Sequence, residues 1–182
     1  GVEYCDIMGA QHEIPLMVSA YQKGIRNYDV DKAYEAVKKT LTTQGTALSS
    51  GGIVGNRHLD VYLKYGFVPY GEKSHHNVFG TTYEGPTSNT LEYAFDDWNA
   101  AQFAKALGYE EDYDYFTRRA YNYKNVFDSE TKYVRPKYSD GTWMPDFEPI
   151  NKDEHSTSWS WLGSGFVEGN SWQYTWMVPH DM

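Results

Sequence analysis

A single cysteine, Cys5, is all the thiol this chain of 182 residues contains. One thiol builds neither a disulfide framework nor a thiolate metal cluster, and no feature around it marks an activated nucleophile, so it reads as a small core residue. Runs of positive charge are missing too. With 16 Lys+Arg against 25 Asp+Glu, the formal net charge is -9, and duplex nucleic acid or an anionic membrane surface is a poor partner. No apolar run approaches the roughly 20 residues needed to cross a bilayer. No initiator Met and no signal peptide are visible at Gly1, and the chain stops at Met182, which points to a fragment of a longer polypeptide. His75-His76 has no Cys or HExxH pattern beside it and reads as a solvated loop pair. Gly51 to Asn56 lacks the Lys and Ser/Thr of a phosphate loop, which removes a nucleotide site.

Aromatic residues are what the chain has in excess. They make up 17% of it, and five of the 6 Trp (Trp143, Trp159, Trp161, Trp172, Trp176) crowd into the last quarter. Rings with a polar handle suit a cleft that stacks on sugar C–H faces while hydrogen-bonding hydroxyls, although an aromatic core layer would use the same residues.

The apolar spacing reads as an all-α chain of helical hairpins. Residues 13 to 24 form a helix with Pro15 in its first turn and apolar positions all round it, the mark of an inner, mostly buried helix. After a turn through Gly24, Asp29 or Asp31 starts an outer helix, Lys32 to about Leu41, with one wet face. The unit recurs: Ser88-Asn89-Thr90-Leu91-Glu92 is a capped start to a long apolar helix ending at Gly108, and Glu110 to about Val126 is its amphipathic partner. Two copies of buried helix, Gly-containing turn and amphipathic helix argue for stacked hairpins. Between them runs a long Gly-rich connection with a short helix expected at Arg57 to Leu63, and a turn is expected around Ser139-Asp140-Gly141.

The chemistry concentrates near the end, in Phe166-Val167-Glu168-Gly169-Asn170-Ser171-Trp172-Gln173. Asn170 and Gln173 have capping-box spacing, which puts Glu168 just outside a helix start. Trp172, Trp176 and Pro179 share one face of that helix, and the face is expected to pack inward. The positive helix end favours the carboxylate, whereas a dry wall of Phe166 and indoles favours the neutral acid, so Glu168 is either a general acid or a capping glutamate. If the hairpins close into a ring, Asn89 to Glu92 and Glu168 to Ser171 face one mouth. Glu92, Asp96 and Asp97 make an acidic helix start there, with Glu92 and Asp96 a like-charge i, i+4 pair that calls for a partner, and His12 is placed to reach the same mouth.

Thr90-Leu91-Glu92-Tyr93-Ala94-Phe95-Asp96-Asp97-Trp98, Tyr121 to Asp128, Asp140-Gly141-Thr142-Trp143, and above all Glu168 to Trp176 with Pro179-His180-Asp181, resemble the catalytic domain of glycoside hydrolase family 92, the calcium-dependent exo-acting α-mannosidases. The resemblance spans nearly the whole chain, with Tyr21 to Ala36 similar to an upstream part of the same domain. It implies that residues 1–182 are the central part of an (α/α)6 toroid, with a β-sandwich domain and the rest of the parent polypeptide outside the chain. It implies inverting hydrolysis of α-linked mannose from glycans, with Glu168 as general acid. Trp172, Gln173, Glu92 and His12 are the candidate substrate contacts, with Glu92 otherwise a capping residue that stabilises the helix dipole and His12 otherwise a surface loop histidine. The resemblance also implies Ca2+, with the general base and most calcium ligands beyond Pro179-His180-Asp181, so that these residues alone are not expected to hydrolyse anything. A periplasmic or secreted location follows from the family. Two other readings stay open: an (α/α) toroid acting on glucans or as a polysaccharide lyase, and a helical-repeat binding scaffold, which the long Trp-rich insertions disfavour.

Overall fold

The structure, a computed structural model, describes residues 10–47, 53–72, 85–150 and 165–181. Cys5, His75-His76, Trp159 and Trp161 lie outside the described residues. The chain is all-α, of the (α/α) helical type: α1 (Glu13–Gln22), α2 (Val30–Thr42), α3 (Leu59–Tyr65), α4 (Pro86–Leu107), α5 (Glu110–Ala120) and the single turn α6 (Ser171–Tyr174), with a 3-10 turn at Asn122–Val126. Among the described residues, β structure is limited to short antiparallel pairs, β1 (Thr46–Ala47) with β2 (Ile53–Val54) and β3 (Phe127–Asp128) with β4 (Tyr133–Val134), plus a bridge between Lys137 and Trp143 across the expected Asp140-Gly141 turn.

The centre of the fold is α4, against which α1, α2, α5 and the 3-10 turn all pack. It starts two residues earlier than Ser88 suggests. Gly85 takes a left-handed φ of 63°, Pro86 occupies the first helical position, and no side chain caps the end. Pro fits there because its missing N–H would have had no intrahelical partner. At the other end, Gly108 (φ 80°) turns the chain back so that Tyr109 N–H reaches Ala104 O at 2.9 Å.

The outer helix α2 follows expectation, with Asp29 as N-cap (Lys32 N–H to Asp29 Oδ1, 3.0 Å) and Tyr34, Val37 and Leu41 buried. By contrast, α1 is not buried all round: Ile14, Val18 and Tyr21 face the core, while Leu16 is 72% exposed. Spacing of four and three puts those three residues on one stripe, and Leu16 lies off it. Together these faces and Ala100, Ala101, Phe103, Ala104 and Phe116 form the main core, where Phe103 meets Tyr21 and Tyr34 at ring distances of 5.2 and 5.5 Å.

The acidic triplet also differs from expectation. Asp96 and Asp97 are not at the helix start but in the middle of α4, fully buried. Asp97 is held by Arg119 of α5 (2.8 and 3.1 Å) and by Tyr62 of α3 (2.9 Å), and Arg119 also donates to Leu41 O at 2.8 Å. This knot ties four helices at one point. Burial pushes the Asp97 carboxyl up to about 7 even with the guanidinium beside it.

Candidate active site

The segment 165–170 reaches its position by capping α4. Gly165 O accepts the N–H groups of Thr87 (2.9 Å) and Ser88 (3.4 Å), donors that a helix start otherwise leaves unpaired. Ser88 Oγ donates to Gly85 O (2.8 Å) and accepts from Val167 N–H (3.0 Å), so Ser88 is a brace between two loops and not the cap. The fit is close: a Cβ on Gly85 would stand 2.5 Å from Val167 Cγ2, and one on Gly165 2.8 Å from Pro136 Cγ. Beneath lies a small core of Leu91, Val134 and Phe166, with Tyr174 packed on it.

Glu168 follows with φ 48°, a left-handed conformation that is uncommon outside glycine. Gly169 is next, where a Cβ would meet Tyr174 Cε2 at 2.9 Å and Gln173 Oε1 at 3.1 Å. The capping box is formed as expected: Asn170 Oδ1 accepts Gln173 N–H (3.1 Å) and Gln173 Oε1 accepts Asn170 N–H (3.0 Å). The turn is anchored to β4, with Ser171 Oγ donating to Val134 O and Val134 N–H donating to Thr175 Oγ1 at 3.1 Å.

Two expectations for this helix fail. A helix of four residues carries little aligned dipole, so it offers Glu168 no strong positive end. Trp172 and Trp176 do not pack inward but stand 50% and 74% exposed, while Tyr174, stacked on Phe166 at 5.5 Å, takes the inward place. The regular helix stops after one turn, so i, i+4, i+7 spacing does not define a face there. Glu168 itself is exposed at the rim, and among the described residues no indole lines the cavity beside it.

Glu92, Glu168, Gly169, Gln173, Tyr174 and Met177 line one open cavity of about 320 Å³. It therefore brings Glu168 and Gln173 together with Glu92, which lies 76 positions before Glu168 in the sequence. Trp172 does not line it. His12, at the start of α1, reaches Glu92 instead: Nε2 lies 3.2 Å from Oε2, and this contact holds the imidazole above the usual histidine range. The expected partner for the Glu92–Asp96 pair is thus the turn before α1, because Gln11 N–H also donates to Asp96 Oδ2 at 2.9 Å. Burial pushes Asp96 up to about 8, and its Oδ1 has no hydrogen-bond partner among the described residues. A buried carboxyl that keeps its proton relieves the like-charge repulsion with Glu92.

What the spacing of apolar residues could not reveal is Tyr174, which lines the cavity and whose hydroxyl donates to Val167 O at 2.8 Å. The sequence signal was Gly169, a glycine directly after the acid. Among the described residues, no group of three or more His, Cys, Asp or Glu is placed to hold a metal ion.

Residues 1–182 match the sequence profile of the glycosyl hydrolase family 92 catalytic domain. A protein of Arthroderma benhamiae described as an uncharacterized secreted glycosidase is 28% identical, over 92% of this chain and 23% of its own length. Among solved structures, a family GH92 inverting mannosidase of Bacteroides thetaiotaomicron superimposes with a TM-score of 0.78 at 31% identity, over 100% of this chain and 21% of the other. A family GH92 α-mannosidase of the same organism, solved in complex with mannoimidazole, gives 0.75 at 33% identity, over 96% and 20%. The chain thus spans about a fifth of the length of the relatives it matches.

Proposed function

The chain belongs to glycosyl hydrolase family 92, and we propose that it carries the general acid of an exo-acting α-mannosidase that releases terminal α-linked mannose with inversion. The observation that carries the reading is the convergence of Glu168 and Glu92 on one open cavity, with Glu168 held in a strained backbone conformation. Strain of this kind persists where surrounding contacts impose it, and it is concentrated at functional sites.

Glu168 protonates the glycosidic oxygen as the bond to the anomeric carbon breaks. A carboxylate about 6.5–9.5 Å away activates water on the opposite face, the separation that inversion requires. That base, and with it independent turnover, is proposed to come from outside these residues. Glu92, its charge balanced by His12, accepts hydrogen bonds from sugar hydroxyls, and the Gln173 amide, already fixed through its Oε1 by the capping box, offers its Nε2 donors to the same sugar. Calcium dependence is part of the proposal, with most of the ligands supplied from outside this chain. Closure of the hairpins into a sixfold toroid is proposed on the same grounds as the activity. That the two Bacteroides relatives are mannosidases, one of them bound to mannoimidazole, supports mannose as the substrate sugar. A secreted or periplasmic location is proposed from the described location of the Arthroderma relative. Among the described residues no helix is long and apolar enough to cross a membrane.

The test uses the complete polypeptide on α-1,2-, α-1,3- and α-1,6-linked mannobiose, with calcium and with chelator. Glu168→Gln is expected to lose roughly 10²–10⁴ in kcat, the usual contribution of a positioned acid, and NMR is expected to reveal β-mannose as the first product. Unchanged turnover in Glu168→Gln would reduce Glu168 to a capping residue.

A further inference from the structure

The contacts around Glu168 are unequal on its two sides, and the difference assigns a role to a residue that does no chemistry. On the C-terminal side the capping box fixes Asn170. On the N-terminal side two successive peptides are held: Val167 N–H, in the peptide from Phe166, donates to Ser88 Oγ at 3.0 Å, and Val167 O, in the peptide to Glu168, accepts the Tyr174 hydroxyl at 2.8 Å. Because the peptide from Val167 to Glu168 is planar, the Tyr174 bond sets the direction of the Glu168 N–H, and with Asn170 held on the other side little rotation is left about the Glu168 N–Cα bond. Left to itself, a glutamate would leave φ 48° for the broad negative-φ region and swing its carboxyl off the cavity. The Tyr174 ring closes the other escape, because it packs on Phe166 and comes so near Gly169 that no Cβ fits between them.

We propose that Tyr174 is a positioning residue for the acid: its hydroxyl, donated to the Val167 carbonyl, holds Glu168 in the left-handed conformation that aims its carboxyl into the cavity. This rests on the reading of Glu168 as general acid. The clamp is chemically durable. Burial, reinforced by the charges of Glu92 from α4 and Glu168 from the loop and opposed by the Ser88 hydroxyl, pushes the Tyr174 phenol up to about 12, so it remains a donor throughout the range in which a carboxylic acid works. Tyr174→Phe keeps the ring on Phe166 and on the cavity wall and leaves Glu92 and Gln173 in place, so the hydroxyl is the one group removed.

The test compares two substrates in the complete polypeptide. Mannobiose needs a proton on its departing oxygen, whereas 2,4-dinitrophenyl α-mannoside releases a phenolate that needs none. For Tyr174→Phe, kcat on mannobiose is expected to fall about 10- to 100-fold, the range for a misplaced catalytic group, with KM little changed. On the dinitrophenyl substrate the loss is expected to stay within about threefold. Ser88→Ala, which releases the preceding peptide at Val167 N–H, is expected to give the same split, so a folding failure in one variant does not block the test. Equal losses on both substrates, or a loss confined to KM, would overturn the role of Tyr174. Glu168→Gln run in parallel separates the two claims: if it also loses activity equally on both substrates, Glu168 is not the acid, whereas a split for Glu168→Gln without one for Tyr174→Phe sinks only the clamp.

Discussion

Glu168 holds a backbone conformation that costs a side-chain-bearing residue on the order of 1 kcal/mol, and relieving it separates stability from function. Glu168→Gly removes both the strain and the carboxyl; the thermal midpoint is expected to hold or rise while mannobiose hydrolysis disappears. Gly169→Ala acts the opposite way, since its Cβ would stand 2.9 Å from the Tyr174 ring. It should cost about 1–3 kcal/mol as an overpacked site, read as a lower midpoint in thermal unfolding. Asp96 carries a pH dependence whose sign follows from its raised value. The folded protein keeps the proton up to about pH 8, whereas an unfolded aspartate loses it near pH 3.8. The stability that the neutral, buried acid contributes is therefore complete below about pH 4 and is lost progressively as pH rises towards 8. Asp96→Asn, which keeps an acceptor for the Gln11 N–H, should flatten that decline, by on the order of a few kcal/mol between pH 5 and pH 8, as measured by denaturation at each pH.

At the scale of elements, α4 is decided at both ends by glycine and in the middle by one ion pair. Arg119→Ala leaves the Asp97 carboxyl buried with only Tyr62 beside it. Removing one partner of a buried pair costs about 3–5 kcal/mol, and the cost is expected to grow between pH 5 and pH 8, because Asp97 already sits up near 7 and can escape by taking a proton at low pH. Unfolding curves at the two pH values check the slope. The helices themselves were legible because their signals are local: the Asp29 cap, the apolar stripe of Tyr34, Val37 and Leu41, and Gly108 at the end of α4 each act within a few residues. The start of α4 was misread because Ser88 has cap chemistry, yet its hydroxyl is engaged by Gly85 and by Val167, which is distant in sequence. The one-sided burial of α1 and the outward Trp172 and Trp176 were illegible for a related reason: apolar residues on a short helix do not say which of them finds a neighbour.

For the whole molecule, the resemblance carried the family, and the residues alone put Glu92 and Glu168 at one mouth, because helix starts and long loops meet at one end of an (α/α) fold; Gln173 was read from them only as the capping partner of Asn170, and its place on the cavity wall was not legible. The same geometry has a consequence in time. The bond between Val167 and Ser88 spans 79 positions of sequence, whereas α4 and α5 meet across one tight turn at Gly108. Local pairing of helices is fast, and closing a long loop waits on it. A one-turn α6 cannot form ahead of the contacts that hold it. Refolding should therefore restore helical circular dichroism before hydrolytic competence, leaving an interval in which the scaffold is assembled and its acid is still unaimed.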